Sequence, residues 1–169
     1  MNDSRAGDTA RVLNALRRSV RALRSANVSA KRGLGVGAAQ LFVLRQIADA
    51  PGLSLVELAA RTHTAQSSVS EVVSRLVQEG YIRKTHAADD RRRLALELTA
   101  RGESVTRDAG RPVQEQLIEG LAKLPAHDQR RLADLYEAWL AAAGLDVVPA
   151  SMFFEPARRR SGSRSKLPL

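Results

Sequence analysis

The 169 residues carry 27 Lys and Arg against 18 Asp and Glu, a net charge of +9 that favours a polyanionic partner, because neutralising phosphates releases condensed counterions. At 44% hydrophobic the chain can bury the core of one domain, or of a domain with an appended helical module, whereas 4% aromatic leaves too few rings for the stacking platforms that bind single strands. The absence of cysteine removes disulfides, thiolate metal sites and thiol-based peroxide sensing, and with no apolar run long enough for a signal peptide or for the roughly 18 residues of a membrane span, a cytoplasmic, nucleoid-associated protein is expected.

At the N-terminus Leu13, Leu16, Val20 and Leu23 recur at alternating three- and four-residue steps, the seam of a helix that packs against another helix. Arg11, Arg17, Arg18, Arg21 and Arg24 surround it, either as a solvated face or as ion-pair partners across an interface. Residues 1–34 are read as an N-terminal dimerisation helix.

Residues 54–98 have the layout of a winged helix-turn-helix, within a DNA-binding region of 35–98. Ser54-Leu55-Val56-Glu57 is a capping box, in which the Ser54 hydroxyl satisfies free amides and Glu57 reaches back to the cap. A short helix through Arg61 follows, and the polar Thr62-His63-Thr64 predicts a turn, with Thr64 as the cap of the next helix. From 65 to 79, Ala65, Val69, Val72, Val73, Leu76 and Val77 fall on one helical face. The opposite side, with Ser67, Ser70, Glu71, Ser74 and Gln78, is short and polar, and Gln66 and Arg75 flank it. Such a face fits a major groove about 12 Å wide, although a merely solvated helix would present a polar face as well.

Gly80 is placed to end that helix in a left-handed residue. One strand is predicted over Tyr81-Ile82-Arg83-Lys84-Thr85-His86 and its return over Leu94-Ala95-Leu96-Glu97-Leu98, whose three leucines should hold the hairpin to the body. The tip, Asp89-Asp90-Arg91-Arg92-Arg93, gains little from folding, since exposed ion pairs contribute about 0 to 1 kcal/mol. Arginine in a narrow groove gains from concentrated negative potential, and an adjacent Asp can hold the guanidinium extended. Ser54, Thr64, Ser68, Arg83 and Lys84 are further candidates for DNA contact, beside the tip residues Asp90, Arg91, Arg92 and Arg93.

After the wing, Thr99 is a predicted cap for a helix running toward Leu124, broken near Arg111 by Gly110-Arg111-Pro112 and ended by Pro125. A last helix carries Leu132, Leu135, Tyr136, Trp139 and Leu140 on one side and stops at Gly144. Leu117, Leu121, Leu132, Leu135 and Trp139 join the N-terminal seam as dimerisation candidates, making 99–144 the C-terminal dimerisation helices; intramolecular packing is the alternative. The extension 145–169 divides into an apolar Met152-Phe153-Phe154, which could dock on a partner subunit, and a basic run with Arg158, Arg159, Arg160, Arg164 and Lys166 that reads as a disordered tail.

Catalysis finds little support. His63, His86 and His127 fall in three different elements, no Gly-x-Ser-x-Gly elbow accompanies the serines, and no phosphate-cradling loop is visible. No metal or cofactor is expected. The fold expectation is mostly α with a small β-hairpin wing (α+β), a winged helix-turn-helix with N- and C-terminal dimerisation helices.

Several stretches, in order, resemble the MarR (multiple-antibiotic-resistance regulator) family. They are Ala39-Gln40-Leu41-Phe42-Val43-Leu44, Leu55-Val56-Glu57-Leu58-Ala59, Ser67-Ser68-Val69-Ser70 through Leu76, Gly80-Tyr81-Ile82, and Asp90-Arg91-Arg92 followed by Leu98-Thr99-Ala100-Arg101-Gly102. The resemblance covers roughly residues 10–143 and implies a homodimer that binds duplex DNA at a pseudo-palindromic operator. It places Arg92 in the minor groove with Asp90 orienting it. Glu71 departs from the pattern, standing where many members place a basic residue. The resemblance also implies a small effector, often aromatic and anionic, that binds between terminal helices and head, near Phe42, Arg45 and the facing part of the first helix, and releases a repressor from DNA. The competing reading is an architectural protein that coats DNA without an operator.

Overall fold

The computed structural model describes residues 2–86, 94–148 and 150–153, with side chains from Ala6 onward. The expected wing tip, Asp89 to Arg93 with Asp90, Arg91 and Arg92, lies outside the described residues, as do Phe154 and the basic run after it.

Seven helices and one hairpin are present among the described residues: α1 (Asn2–Leu34), α2 (Ala38–Asp49), α3 (Leu55–Arg61), α4 (Gln66–Gln78), β1 (Ile82–His86), β2 (Leu94–Leu98), α5 (Ala100–Asp108), α6 (Val113–Ala122) and α7 (Ala126–Ala142). This is the mostly helical winged fold expected. α2 lies at its centre, packed against α1, α3, α4, α5 and β2. Its start is fixed from two directions: the Ala38 amide donates to Asn27 Oδ1 of α1, and the Gly37 amide donates to Gln40 Oε1, each at 2.9 Å.

The core is aliphatic and shared between helices and wing. Val43, Leu44 and Ile47 of α2, Leu58 of α3, Val69, Val72, Val73 and Leu76 of α4, Ile82 of β1 and Leu96 of β2 are all essentially inaccessible. Each such side chain contributes about 1.5–3 kcal/mol on burial, enough to lock α4 and the hairpin to α2.

The hairpin is antiparallel, with Ile82 opposite Leu98 and His86 opposite Leu94. The loop before α3 extends it, because the Leu96 amide donates to the Leu53 carbonyl and the Gly52 amide to the Leu96 carbonyl, at 2.8 and 3.2 Å. Of the three leucines expected to hold the wing, Leu96 is buried and Leu98 half-buried, but Leu94 is exposed and the neighbouring Ala95 is buried. The strand leaves the body at Leu94, where an alternating pattern no longer has a core to face. β1 also begins one residue later than predicted: Tyr81 is a buried bend rather than a strand residue.

The predicted break after the wing lies between α5 and α6, at residues 109–112, where Pro112 lacks the amide a continuous helix requires. Pro125 caps α7, and Ala143 and Gly144 follow its end. Leu23, expected in the intermolecular seam, is buried within the single chain, so it belongs to the protomer's interior; Leu13 and Leu16 are half-buried and Val20 is exposed. Met152 likewise docks into its own chain's core.

Candidate nucleic-acid interface

The reading unit begins at α3. The Glu57 amide donates to Ser54 Oγ at 3.3 Å, and the Ser54 amide donates to Glu57 Oε2 at 2.7 Å, the reciprocal cap expected from the sequence. Ser54 therefore uses its hydroxyl to start α3. Thr62 ends that helix, buried, its hydroxyl donating to the Leu58 and Ala59 carbonyls.

The turn into α4 passes through His63 at φ +50°, the left-handed region that disfavours side chains with a Cβ. The expected Thr64 cap is not formed. Ala65 occupies the cap position without a side-chain bond, and the Thr64 hydroxyl donates to the Thr62 carbonyl at 2.9 Å. Thr64 stabilises the turn, not the helix start.

α4 then separates its faces cleanly. Val69, Val72, Val73 and Leu76 are buried; Gln66, Ser67, Ser74 and Gln78 are exposed, and Ser68, Ser70, Glu71 and Arg75 are partly so. The Ser74 hydroxyl donates to the Ser70 carbonyl at 2.7 Å, which leaves its oxygen as an outward acceptor. No carboxylate lies in the first turn of α4, so the positive end of the helix dipole is not neutralised locally. A ridge of hydroxyls, amides and one carboxylate, with no bulky side chain among them, can approach base edges closely.

Gly80 ends the unit at φ +75°. Behind it, Arg101 of α5 fastens the helix end to the wing: Nη1 donates to the Glu79 carbonyl at 2.8 Å, Nη2 donates to the Tyr81 hydroxyl at 2.9 Å, and the guanidinium carbon lies 4.2 Å from the Tyr81 ring centroid. The Glu79 carboxylate accepts from Gln40 Nε2 of α2 at 2.8 Å. Thr99 caps α5, its hydroxyl accepting from the Gly102 amide and donating to the Gly80 carbonyl. None of these roles for Arg101 or Gln40 was visible in the sequence, although Arg101 lies inside the quoted Leu-Thr-x-x-Gly stretch.

On the wing, Arg83 pairs with Glu97 directly across the strands, Nη2 to Oε2 at 2.8 Å, so this candidate is partly neutralised, whereas Lys84 is exposed. A polar connection also runs behind the head. Arg61 Nε of α3 donates to Gln46 Oε1, and Gln46 Nε2 donates to Glu115 Oε1 of α6, at 3.3 and 3.1 Å. Burial and the nearby Asp49 carboxylate raise the Glu115 pKa above its usual value, against the opposing pull of Arg45, the Gln46 hydrogen bond and Arg111. Among the described residues no cluster of His, Asp and Glu could hold a metal ion, and no helix is long and apolar enough to cross a membrane.

A profile of the MarR family matches residues 34–93, from the end of α1 to the residue before β2. The transcriptional regulator HosA of Escherichia coli O127:H6 is 34% identical over 97 residues, which is 57% of this chain and 71% of that regulator. The chain belongs to the MarR family. A second MarR-family relative by this likeness is the HTH-type transcriptional repressor Rv2887 of Mycobacterium tuberculosis, 29% identical over 104 residues, covering 62% of this chain and 75% of that one. The reduced form of MarR from E. coli superposes with a TM-score of 0.52 at 24% identity, over 78% of this chain and 95% of that one, a likeness of fold. The protein is thus a MarR-family transcriptional regulator with a winged helix-turn-helix, in which α4 is the second helix.

Proposed function

We propose that the protein is a homodimeric repressor that binds a pseudo-palindromic operator in duplex DNA, with α4 in the major groove and the wing beside the minor groove. The observation that carries this reading is the α4 surface: a ridge of small polar side chains on a helix whose other face is fixed to the core. Ser67, Ser68, Ser70, Glu71 and Ser74 are the base-edge candidates; Gln66, Arg75 and Lys84 flank them, and Arg92 with Asp90 is assigned to the minor groove by resemblance.

The dimer reading rests on apolar surface that the single chain leaves uncovered. No residue of α7 is buried, and Leu117, Leu121, Leu132, Leu135 and Tyr136 are all exposed. Trp139 is half-buried, with Tyr136 edge-on to it at 5.6 Å. A second copy covers such stripes, and two heads about 34 Å apart match successive turns of DNA.

A cleft of about 390 Å³ between the head and α6 is where an effector would bind. Phe42 lines it, Arg45 does not, and no Arg or Lys is among its lining residues. Gln114 lines it, buried, with neither end of its side-chain amide hydrogen-bonded. These features favour a largely apolar, uncharged effector bearing a donor and an acceptor over the anionic one expected from resemblance.

The experiment is binding to the DNA immediately upstream of the protein's own coding sequence, against scrambled competitor over a salt series. Selective binding that survives physiological salt is expected. Affinity indifferent to sequence that collapses with salt would replace this reading with the architectural one.

A further inference from the structure

We propose that Met152 is a positioning residue for DNA reading: it anchors the segment after α7 against the cleft that the helix-turn-helix turn also walls, and thereby clamps that turn in its left-handed conformation. The inference rests on the proposed role of α4 as the DNA-reading helix.

Three observations converge. Among the described residues beyond α7, Met152 alone is buried, while Leu145, Val147, Val148 and Phe153 are exposed. Met152 is therefore the buried apolar anchor of the segment. Met152 is part of the main core, together with Phe42 and Val69, and lines a cleft whose other lining residues include 62–65 and Leu117 and Ile118 of α6. The turn that lines this cleft contains His63 at φ +50°, the one described residue other than glycine with positive φ.

A left-handed histidine persists only where its surroundings over-determine it. The bonds from the His63 amide to the Ala60 carbonyl and from the Thr64 amide to the Ala59 carbonyl, at 3.2 and 3.1 Å, hold the turn from the α3 side. Met152, in the same core cluster as Val69 of α4, holds its segment at the cleft that this turn lines. The turn leads directly into Gln66 and Ser67, so relaxation at His63 changes the angle at which α4 presents its polar ridge. An anchor on the C-terminal arm thus controls the geometry of the reading helix without touching DNA.

The experiment is a double-mutant cycle on the full chain with M152S, M152L and H63G, read by operator affinity and by amide hydrogen exchange without DNA. M152S should weaken operator binding on the order of tenfold, within the coupling usual between separate sites, and M152L should stay within about twofold of wild type. In the H63G background, where the left-handed turn is unstrained, M152S should have little effect. Loss of equal size in both backgrounds would make Met152 ordinary core packing and overturn the clamp. In exchange, M152S should speed the Thr64 amide while leaving the Leu44 amide unchanged; no change at Thr64, or a parallel rise at both, overturns it too. If the wild-type protein shows no selective DNA binding, the reading of α4 fails on its own, and the exchange comparison still decides whether Met152 holds the turn.

Discussion

Replacing Gly102 with Ala sets two effects of opposite sign against each other. Gly102 lies in the first turn of α5, where alanine is the better helix former by up to about 1 kcal/mol, so local propensity alone predicts stabilisation. The packing says otherwise: a Cβ there would stand 2.3 Å from the Tyr81 carbonyl oxygen and 3.3 Å from Leu98 Cδ2. The first contact is about 1 Å inside the 3.4 Å at which ordinary van der Waals contact begins, and the obstacle is backbone, which cannot rotate away. That carbonyl also accepts from the Thr99 amide at 3.0 Å and the Thr99 hydroxyl at 3.2 Å, so relieving the clash strains the α5 cap. Overpacking of this kind costs about 1–3 kcal/mol, and weakening two hydrogen bonds adds about 1 kcal/mol each. After the propensity gain, a net loss of about 2–4 kcal/mol is expected, with a Tm lower by roughly 4–16 °C for a chain of this size. Urea unfolding followed by far-UV circular dichroism measures it. A variant as stable as wild type, or more so, would show that the α5–Tyr81 approach does not restrict this position.

R101A should leave the fold largely intact but weaken operator binding, because the end of α4 loses its tie to Tyr81; R101K, with a single point charge in place of the fork, should recover only part of the affinity, as fluorescence anisotropy would register. L135D places a charge on the uncovered α7 stripe and should halve the mass seen by light scattering, whereas an unchanged mass would remove that stripe from the interface. For Glu115, whose folded pKa is raised, the carboxyl favours the folded state below its unfolded value near 4.5, and that contribution is lost as pH rises through the higher folded value. E115Q should therefore gain stability relative to wild type as pH rises through that window, a trend that melting curves across pH 4–7 would confirm or contradict.

What the sequence made legible was local. Ser54 with Glu57, Thr99, Pro125 and the Gly110-Arg111-Pro112 break were read correctly, because a cap or a helix stop depends on residues a few positions apart. Thr64 was misassigned because it and Thr62 both carry hydroxyls, and only the backbone path decides which carbonyl or amide each meets. The alternation of the return strand could not reveal that Leu94 lies past the edge of the body. Arg101 with Glu79, and Gln46 with Glu115, join residues far apart in the chain and leave no periodic trace. Leu23 in its helical stripe and Met152 in its apolar triplet both suit an interface in the linear sequence, but tertiary folding buries both within one chain.

The absence of any buried residue in α7 bears on how the protein behaves in dilute solution. A 17-residue amphipathic helix with no interior of its own draws little stability from propensity alone. If a second copy provides that interior, folding of the arm and association become one equilibrium, and the melting temperature depends on protomer concentration. Scarcity would then loosen the arm before it emptied an operator, making the amount of protein in the cell a determinant of its shape.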